Sequence, residues 1–253
     1  MAVFKKIVIA NWKMNLDPGQ SLKLAEDFLD KFHDFSLREV VLCPDFLSLD
    51  RIKEKLESSV LQLGAQDMFW QDYGSYTGEV SPGSLKGLGC KYVILGHSER
   101  REYLSEDYQM VNKKVKAALE KEITPIVCIG EKKEDKEQGL RDKVLSEQIE
   151  RALSGVSLDQ VEDLILAYEP IWAIGSGQAI EEKDIQEAYK MIKSVLKKNF
   201  SDQAQKILTI YGGSVNLDNL DRFTKSQEID GLLLGGASLQ AEDFFQISKR
   251  MLE

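Results

Sequence analysis

The chain has 253 residues, of which 43% are hydrophobic, so it is long enough to bury a sizeable core as one large domain or two small ones. Its formal net charge at pH 7 is -9. This negative charge argues against a protein that binds nucleic acids or anionic membranes broadly, because those surfaces would repel it. It does not exclude a small anionic ligand, since local dipoles act at short range.

The start of the chain contains only a short apolar run, residues 7–10, so we expect neither a secretory signal nor a membrane span. The three cysteines, Cys43, Cys90 and Cys128, are odd in number and have no metal-ligand spacing. We therefore expect reduced thiols in a cytoplasmic protein. The alternatives are a disulfide and a nucleophilic Cys128, although the residues around Cys128 are apolar.

Short apolar runs of strand length alternate with amphipathic helical patterns along the chain. The predicted strands cover residues 6–10, 39–43, 60–65, 92–95, 124–129, 164–168, 207–211 and 231–234. The predicted helices cover residues 21–32, 46–56, 107–119, 140–153, 180–196, 217–223 and 241–252. A polar and aromatic excursion at residues 66–82 and a short apolar turn around Leu85 and Leu88 separate the third strand from the fourth.

Strands that alternate with helices predict right-handed crossovers and a parallel sheet. Eight such units in about 250 residues fit an α/β fold in which a single closed (β/α)8 barrel carries its helices outside. An open doubly wound sheet is the alternative. No linker or change of composition divides the chain, so we expect one domain over residues 1–253.

In such a barrel, the residues that follow the strands meet on one rim. The polar, charged and glycine residues in these positions are Asn11, Lys13, Gly96, His97, Ser98, Glu99, Glu169, Gly212, Gly213, Ser214, Gly235 and Gly236. Because they lie far apart in the sequence, only the alternation of strands and helices brings them together.

The sixth predicted strand ends at a carboxylate, Glu169, and Pro170 biases this residue toward an extended backbone. The following residues 171–174 are too apolar for a solvated loop, and glycines lie beyond them at residues 175–177. Stiff apolar content with flexible ends is typical of a lid that closes over a carboxylate and excludes water. The alternative is a buried loop that packs Trp172 into the core, with Glu169 in an ordinary salt bridge.

Two further rim residues have a structural and a functional interpretation. Lys13 is either an ordinary lysine with its ammonium in water or a cation that faces an anionic substrate, and Asn11 projects on the same face if the strand extends that far. A lone histidine is more often structural, but His97 precedes what looks like a short helix. Because a helix N-terminus disfavours the charged imidazole, His97 is suited to act as a neutral hydrogen-bond donor.

Glycine pairs follow the last two strands, Gly212 with Gly213 and Gly235 with Gly236. They allow backbone N–H groups to approach a ligand closely, and loops in these positions of a barrel often hold phosphate. Residues 175–176 could add further donors. Glycines also serve tight turns, so one pair alone would mean little.

A carboxylate base, a neutral imidazole, a lysine and a phosphate cradle favour proton abstraction from a carbon next to a carbonyl. We expect His97 and Lys13 to stabilise the enolate oxygen, and we expect no metal and no cofactor. One rival is an aldolase that forms a Schiff base through Lys13. The other is a barrel that binds phosphorylated metabolites without catalysis.

Six motifs in this order along nearly the whole chain resemble those of the triosephosphate isomerase family. They are ANWKMN at residues 10–15, TGEVSP at 77–82, GHSERR at 96–101, AYEPIWAIGSG at 167–177, YGGSV at 211–215 and LGGASL at 234–239. The resemblance implies a TIM barrel that needs no cofactor. It also implies the reversible interconversion of dihydroxyacetone phosphate and D-glyceraldehyde 3-phosphate through an enediolate, in glycolysis and gluconeogenesis.

The resemblance further implies a role for each matching site residue. Glu169 would move the proton between two substrate carbons while His97 polarises the carbonyl. Lys13 would stabilise the charge of the enediolate and of the phosphate, with Asn11 beside it and Glu99 as its partner.

By the same resemblance, residues 170–177 form a lid segment, and Ser98 would hold Glu169 when the lid is open. The residues of this lid segment are Pro170, Ile171, Trp172, Ala173, Ile174, Gly175, Ser176 and Gly177. Tyr211 and Ser214 resemble the latch of the closed lid. The phosphate would meet the backbone of Gly175, Ser214, Gly235 and Gly236.

The resemblance also implies a homodimer, in which residues 66–82 insert into the partner subunit and Thr77 lies near the partner's active site. This excursion contains Met68, Phe69, Trp70, Tyr73 and Tyr76, which is much apolar surface to leave in water. Asp67 departs from the asparagine expected in the family, and residues 178–180 depart at the far hinge of the lid segment. We expect those changes to affect the hydrogen bonds of the loop and the rate at which the lid opens and closes.

Overall fold

Eight parallel strands close into one barrel in the computed structural model, which describes residues 6–35, 40–57, 59–173 and 180–252. The strands are β1 (Ile7–Asn11), β2 (Val40–Cys43), β3 (Gln62–Ala65), β4 (Tyr92–Leu95), β5 (Thr124–Ile129), β6 (Ile165–Tyr168), β7 (Leu208–Gly212) and β8 (Gly231–Leu234). Each strand pairs with the next, and β8 returns to pair with β1. The predicted closed barrel is therefore confirmed, and the open sheet is wrong.

Helices cover the outside of the barrel. They are α1 (Pro18–Phe32), α2 (Leu49–Leu56), α3 (Pro82–Gly87), α4 (Ser98–Tyr103), α5 (Tyr108–Glu120), α6 (Lys133–Glu137), α7 (Arg141–Ala152), α8 (Glu182–Phe200), α9 (Asp221–Thr224) and α10 (Ala241–Leu252). Short 3-10 turns lie at Val161–Asp163, Ile171–Ala173, Ser201–Lys206 and Gly236–Leu239. The helices α3 and α6 were not expected from the periodicity, because each is only one or two turns long.

Two predicted helices begin three or four residues later than expected, and side chains that bond to the backbone explain why. The helix predicted over residues 217–223 forms only as α9, since Asn216 Oδ1 accepts the N–H groups of Asp218 and Asn219 in a local turn. The helix predicted from residue 46 begins at α2, since Asp45 Oδ1 accepts the N–H of Leu47 and so supports a turn before the helix.

The strands are buried on both faces, which accounts for their continuous apolar sequences. One cluster of side chains fills the barrel interior, and a larger one packs between the strands and the helices. In the outer layer Phe28 of α1 stacks on Phe244 of α10 with ring centroids 4.9 Å apart. Gly231 allows the barrel to close, because a Cβ there would lie 2.9 Å from Cγ2 of Ile7.

The three cysteines bear on the expectations of reduced thiols and of a Cys128 that is not a nucleophile. Cys43, Cys90 and Cys128 are free and buried. Burial and the charge of Glu169 raise the pKa of Cys128, which opposes formation of a nucleophilic thiolate.

Within the part of the chain that the structure describes, none of the helices combines the length and the apolar character needed to span a membrane.

Candidate active site

A cavity of about 530 Å³ opens at the carboxyl ends of the strands, where the sequence predicts a site. The predicted site residues that line it are Asn11, Lys13, His97, Ser98, Glu99, Glu169, Ile171, Ser214, Gly235 and Gly236. These residues follow five of the eight strands, so closure of the barrel is what gathers them.

Glu169 follows the last residue of β6, and its side chain is only 2% exposed. Its N–H donates to the carbonyl of Ile129 at 2.7 Å, which extends the pairing of β5 with β6 by one step. The carboxylate Oε1 lies 3.3 Å from His97 Nε2, whereas the buried Oε2 has no hydrogen-bond partner within the part of the chain that the structure describes. Among the described residues no lysine or arginine pairs with Glu169, so the alternative of an ordinary salt bridge is not supported.

Ser98 lines the cavity as the first residue of α4. The described contact of the Glu169 carboxylate is with His97, the residue that caps α4. The contact of Ser98 with Glu169 that the resemblance implies for an open lid stays a prediction, because residues 174–179 lie outside the described residues.

His97 is the N-cap of α4, which confirms that a short helix begins directly after it. The N–H of Glu99 donates to His97 Nδ1 at 3.3 Å. Because Nδ1 accepts this hydrogen bond, the proton of the neutral imidazole is on Nε2, the atom that faces Glu169. In this tautomer Nε2 of His97 is a hydrogen-bond donor at the cavity wall.

Lys13 has a backbone φ of 54°, a left-handed conformation that is uncommon for a residue with a side chain. Two contacts hold it there: its N–H donates to Asn11 Oδ1 at 3.1 Å, and its carbonyl accepts from Gln66 Nε2 at 2.8 Å. Its Nζ lies 2.6 Å from Glu99 Oε1. Sequence reasoning missed Gln66, whose only signal is a polar residue directly after a buried strand. Gly235 leaves room for the lysine stem, because a Cβ there would lie 3.3 Å from Lys13 Cε.

Gly212 at the end of β7 and Gly213 after it leave room for neighbouring side chains. A Cβ on Gly212 would lie 2.7 Å from Cγ of Glu169, and a Cβ on Gly213 would lie 2.5 Å from the hydroxyl of Tyr211. Gly236, in contrast, would direct a Cβ into open space at the cavity. The first pair therefore makes room for neighbouring side chains, a function that the sequence did not reveal.

This geometry agrees with three comparisons with known proteins. The family model described as triosephosphate isomerase matches residues 6–251. The triosephosphate isomerase of Dictyoglomus turgidum (strain DSM 6724 / Z-1310) is 43% identical over 244 residues, which cover 96% of this chain and 98% of that relative. That of Clostridium tetani (strain Massachusetts / E88) is also 43% identical, over 96% of this chain and 95% of the relative. The chain belongs to the triosephosphate isomerase family.

A solved structure agrees with this assignment. A crystal structure of triosephosphate isomerase from Bartonella henselae matches with a TM-score of 0.87 and 32% sequence identity, over 98% of this chain and 100% of that chain. The family resemblance inferred from the motifs and the TIM-barrel fold are both confirmed. The family consists of isomerases that need no cofactor.

The structure describes only the first part of the lid segment that the triosephosphate isomerase resemblance implies. Pro170 and the turn Ile171–Ala173 are described. Ile174, Gly175, Ser176 and Gly177 lie outside the described residues, as do residues 178–179 of the predicted hinge. The described end of the lid segment is attached to the rim, because Ser214 Oγ donates to the carbonyl of Ala173 at 2.8 Å.

Tyr211, the other predicted latch residue of the triosephosphate isomerase pattern, is buried and does not line the cavity. Its ring stacks on Phe223 with centroids 4.5 Å apart. Burial raises the pKa of the Tyr211 hydroxyl, so the hydroxyl is a neutral hydrogen-bonding group.

Trp172 of the lid segment is held by two residues that sequence reasoning did not single out. Its Nε1 donates to Glu131 Oε1 at 2.9 Å, and Lys136 Nζ lies 4.2 Å from the centre of its ring. The same Glu131 oxygen accepts from the Tyr168 hydroxyl at 3.1 Å. Burial raises the pKa of Glu131, although these hydrogen bonds oppose the shift. Glu131 therefore couples the lid segment to β6.

Asp67, the departure from the triosephosphate isomerase pattern, belongs to a buried charge cluster. Both of its oxygens accept from Lys114 Nζ, at 2.8 and 2.9 Å, and Arg100 Nη2 lies 2.8 Å from Oδ2. Glu106 also contacts Lys114 and Arg100. Burial raises the pKa of Asp67 to about 6, with Glu106 adding to the shift and Lys114 opposing it. Ion pairs to Arg100 of α4 and Lys114 of α5 thus hold the start of the loop.

The rest of the excursion over residues 66–82 is partly packed and partly exposed. Met68 and Phe69 are buried, and Phe69 stacks on Trp70 with centroids 3.9 Å apart. Tyr73 is 93% exposed, and Thr77 is also exposed and lies outside the cavity of its own chain. Met68 and Phe69 therefore leave little apolar surface in water, and the large apolar surface that stays exposed lies chiefly at Tyr73, at the tip of the loop.

Proposed function

We propose that Glu169, His97 and Lys13 carry out the reaction of the triosephosphate isomerase family, the reversible interconversion of dihydroxyacetone phosphate and D-glyceraldehyde 3-phosphate. The observation that supports this most directly is a buried carboxylate, one oxygen of which has no hydrogen bond to the described residues, next to an imidazole at the wall of a cavity. Glu169 removes a proton from the carbon next to the carbonyl and returns it to the neighbouring carbon. An enediolate forms between the two steps.

His97 and Lys13 stabilise the negative charge of the enediolate. The Nε2–H of His97 donates to the developing oxyanion, and a donor fixed in a cavity does so without reorganising. The ammonium of Lys13 adds a full charge, and Glu99 holds it in place at 2.6 Å. Asn11 supports the lysine, because Asn11 Oδ1 accepts the backbone N–H of Lys13.

The phosphate group binds at the glycine end of the cavity, to the backbone of Ser214, Gly235 and Gly236, with Gly175 completing the set. Of the described residues that line the cavity, Lys13 alone carries a positive charge. Backbone N–H groups must therefore supply most of the recognition of the anion. The lid segment and its latch residues exclude water, so that the enediolate does not lose phosphate.

The Lys13–Glu99 ion pair argues against the aldolase alternative. A Schiff base requires an amine that is free to attack a carbonyl, whereas Nζ of Lys13 lies 2.6 Å from Oε1 of Glu99 and is engaged in this ion pair. Incubation with dihydroxyacetone phosphate and borohydride tests this point. The isomerase gives no covalent adduct. A reduced secondary amine on Lys13, which adds the mass of the substrate less one oxygen because the imine forms with loss of water and is then reduced, would favour the aldolase.

The decisive experiment measures isomerisation of glyceraldehyde 3-phosphate by the purified protein, beside Glu169→Gln and the matched control Glu102→Gln. Glu102 also lines the cavity but is not in contact with His97 among the described ion pairs. Glu169→Gln lowers kcat by roughly 10²- to 10⁴-fold, the usual contribution of a general base. Glu102→Gln retains activity. A folded Glu169→Gln protein that is fully active would overturn the proposal, and an inactive wild type would favour a barrel that only binds phosphate compounds.

We also propose that the protein is a homodimer. Met14, Leu47 and Tyr73 follow the neighbouring strands β1, β2 and β3, and they are 95%, 80% and 93% exposed. Large apolar side chains grouped on one side of the rim favour a partner surface. Thr77 on the same loop would then lie near the partner's cavity, as the resemblance implies. Light scattering at micromolar concentration tests this, and a monomeric mass would contradict it.

We infer further that residues 1–253 form one domain that works in the cytoplasm. The pairing of β8 with β1 supports a single domain, because the last strand completes the sheet that the first begins. The three free cysteines agree with a reducing compartment. One cooperative unfolding transition and recovery of the activity in the cytosolic fraction are the expected results.

A further inference from the structure

The side chain of Gln148 on α7 bonds to both backbone groups of a single residue, Gly130. The N–H of Gly130 donates to Gln148 Oε1 at 2.8 Å, and Gln148 Nε2 donates to the carbonyl of Gly130 at 3.0 Å. Gly130 directly follows β5, on the rim that carries the active site. One amide group on an outer helix therefore fixes the peptide groups at the end of this strand.

Gly130 packs directly against the backbone of Glu169. A Cβ on Gly130 would collide with the carbonyl oxygen of Glu169 and would lie 2.7 Å from its carbonyl carbon. The contacts on either side continue the strand pairing: Glu169 donates to Ile129 at 2.7 Å, and Ile171 donates to the carbonyl of Glu131 at 3.1 Å. The backbone that carries the Glu169 carboxylate is thus set by the position of Gly130.

Gly130 has no side chain of its own that could anchor it, and this makes the contacts from Gln148 important. Both of its backbone polar groups would otherwise need other partners, since unpaired buried groups are costly. The planar amide of Gln148 matches a peptide group in shape and in its donor and acceptor. It acts as the neighbouring strand would act within the sheet.

We propose that Gln148 is a positioning residue for the isomerase reaction, because by holding Gly130 it fixes the backbone from which the Glu169 carboxylate projects. The inference rests on the proposed role of Glu169 as the base. Gln148 does not line the cavity, so it acts only through Gly130. Three of the four contacts proposed for the phosphate, Ser214, Gly235 and Gly236, follow β7 and β8 and not β5, and loss of Gln148 therefore affects proton transfer more than substrate binding.

The first test replaces Gln148 by methionine, which has a similar length and cannot form either hydrogen bond. We expect kcat to fall by roughly 10- to 100-fold, since a shift of about 1 Å in a reacting group can cost on the order of 100-fold. KM stays within about twofold, because an interaction needed only for the chemical step changes kcat. Gln186→Met on α8 is the matched control. Gln186 is exposed, and its one side-chain hydrogen bond to a described residue is with Glu182 one turn away, so this variant keeps wild-type kinetics.

The second test uses Gln148→Glu, in which the pH decides whether the contact can form. The ionised carboxylate still accepts from the N–H of Gly130, but it faces the carbonyl of Gly130 without a proton to donate. A protonated carboxyl group restores that donor. We therefore expect the ratio of kcat for Gln148→Glu to kcat for the wild type to rise as the pH falls, whereas the same ratio for Gln148→Met stays flat.

Measuring Glu169→Gln in the same series separates the two hypotheses. If Glu169→Gln is active, Glu169 is not the base, and the positioning role of Gln148 falls with it. If it is inactive while folded Gln148→Met turns over like the wild type, the positioning role of Gln148 alone is overturned. Absence of any recovery of Gln148→Glu at low pH also overturns it. If Gln148→Met does not fold, as judged by circular dichroism, the pH series of Gln148→Glu decides.

Discussion

Nε2 of His97 lies 3.3 Å from Oε1 of Glu169, and the two side chains are only 7% and 2% exposed. The proposed base and the proposed electrophile are therefore in contact. In the proposed reaction, a carbonyl oxygen that enters the cavity replaces Glu169 as the acceptor for His97, which leaves the carboxylate free to take the proton. This exchange links substrate binding to activation of the base.

Replacing His97 by asparagine separates its two roles, because asparagine is also a good N-cap and preserves α4. Its amide is too short to reach the oxyanion. We expect kcat to fall by roughly 10²- to 10³-fold, the cost of losing one donor to an oxyanion. Steady-state kinetics and urea unfolding on the same preparations check both parts. An unchanged kcat would show that His97 does not polarise the carbonyl.

Gly212→Ala disturbs the base without removing it. The added Cβ would lie 2.7 Å from Cγ of Glu169 and 3.1 Å from Oε1, so the carboxylate must move. We expect kcat to fall on the order of 100-fold. Gly87→Ala in α3 is the control, because a Cβ there meets nothing within 4 Å. Equal activity of the two variants would mean that the position of Glu169 is not critical.

Lys13→Met removes the single positive charge that the described lining residues contribute to the cavity. Both the enediolate and the phosphate lose a partner, so kcat/KM falls by roughly 10²-fold or more. Inhibition by inorganic phosphate weakens as well, because the anion loses the same contact. Kinetics with and without added phosphate measure the two effects. Unchanged inhibition would place the phosphate away from Lys13.

Asp67→Asn changes how stability depends on pH. The pKa of Asp67 is raised from 3.8 to about 6, so between these values the folded protein binds the proton that the unfolded chain releases. Its contribution to the unfolding free energy is therefore present at low pH and is lost as the pH rises through this window. Relative to the wild type, Asp67→Asn gains on the order of 2 to 3 kcal/mol between pH 4 and pH 7. Arg100, Glu106 and Lys114 are the charged groups that face Asp67.

Urea unfolding at several pH values measures this difference, and Asp72→Asn provides a control of opposite sign. Asp72 bonds to Lys121 and to the N–H of Gly83, and its pKa is lowered. Its contribution to stability is present above the ordinary pKa of the carboxyl and is lost as the pH falls. A stability difference for Asp67→Asn that does not vary with pH would show that folding does not raise the pKa of Asp67.

The sequence alone was sufficient to predict the barrel and to name the residues on its rim. The strands Tyr92–Leu95, Thr124–Ile129 and Gly231–Leu234 agree with the predicted bounds, because strands buried on both faces are apolar throughout their length. Glu169, His97 and Lys13 could be named because each follows such a strand. Helices whose starts depend on a side chain such as Asn216 were placed less well, since local hydrogen bonds compete with helical periodicity.

What only the tertiary structure decided is which distant groups support those residues. Gln66 holds the strained backbone of Lys13 across 53 positions of sequence, and Gln148 holds Gly130 across 18. Each is a single polar residue with no periodicity or motif to mark it. A hydrogen bond depends on distance and direction in space, and closure of the barrel determines both, whereas an apolar pattern is already present in the order of the residues.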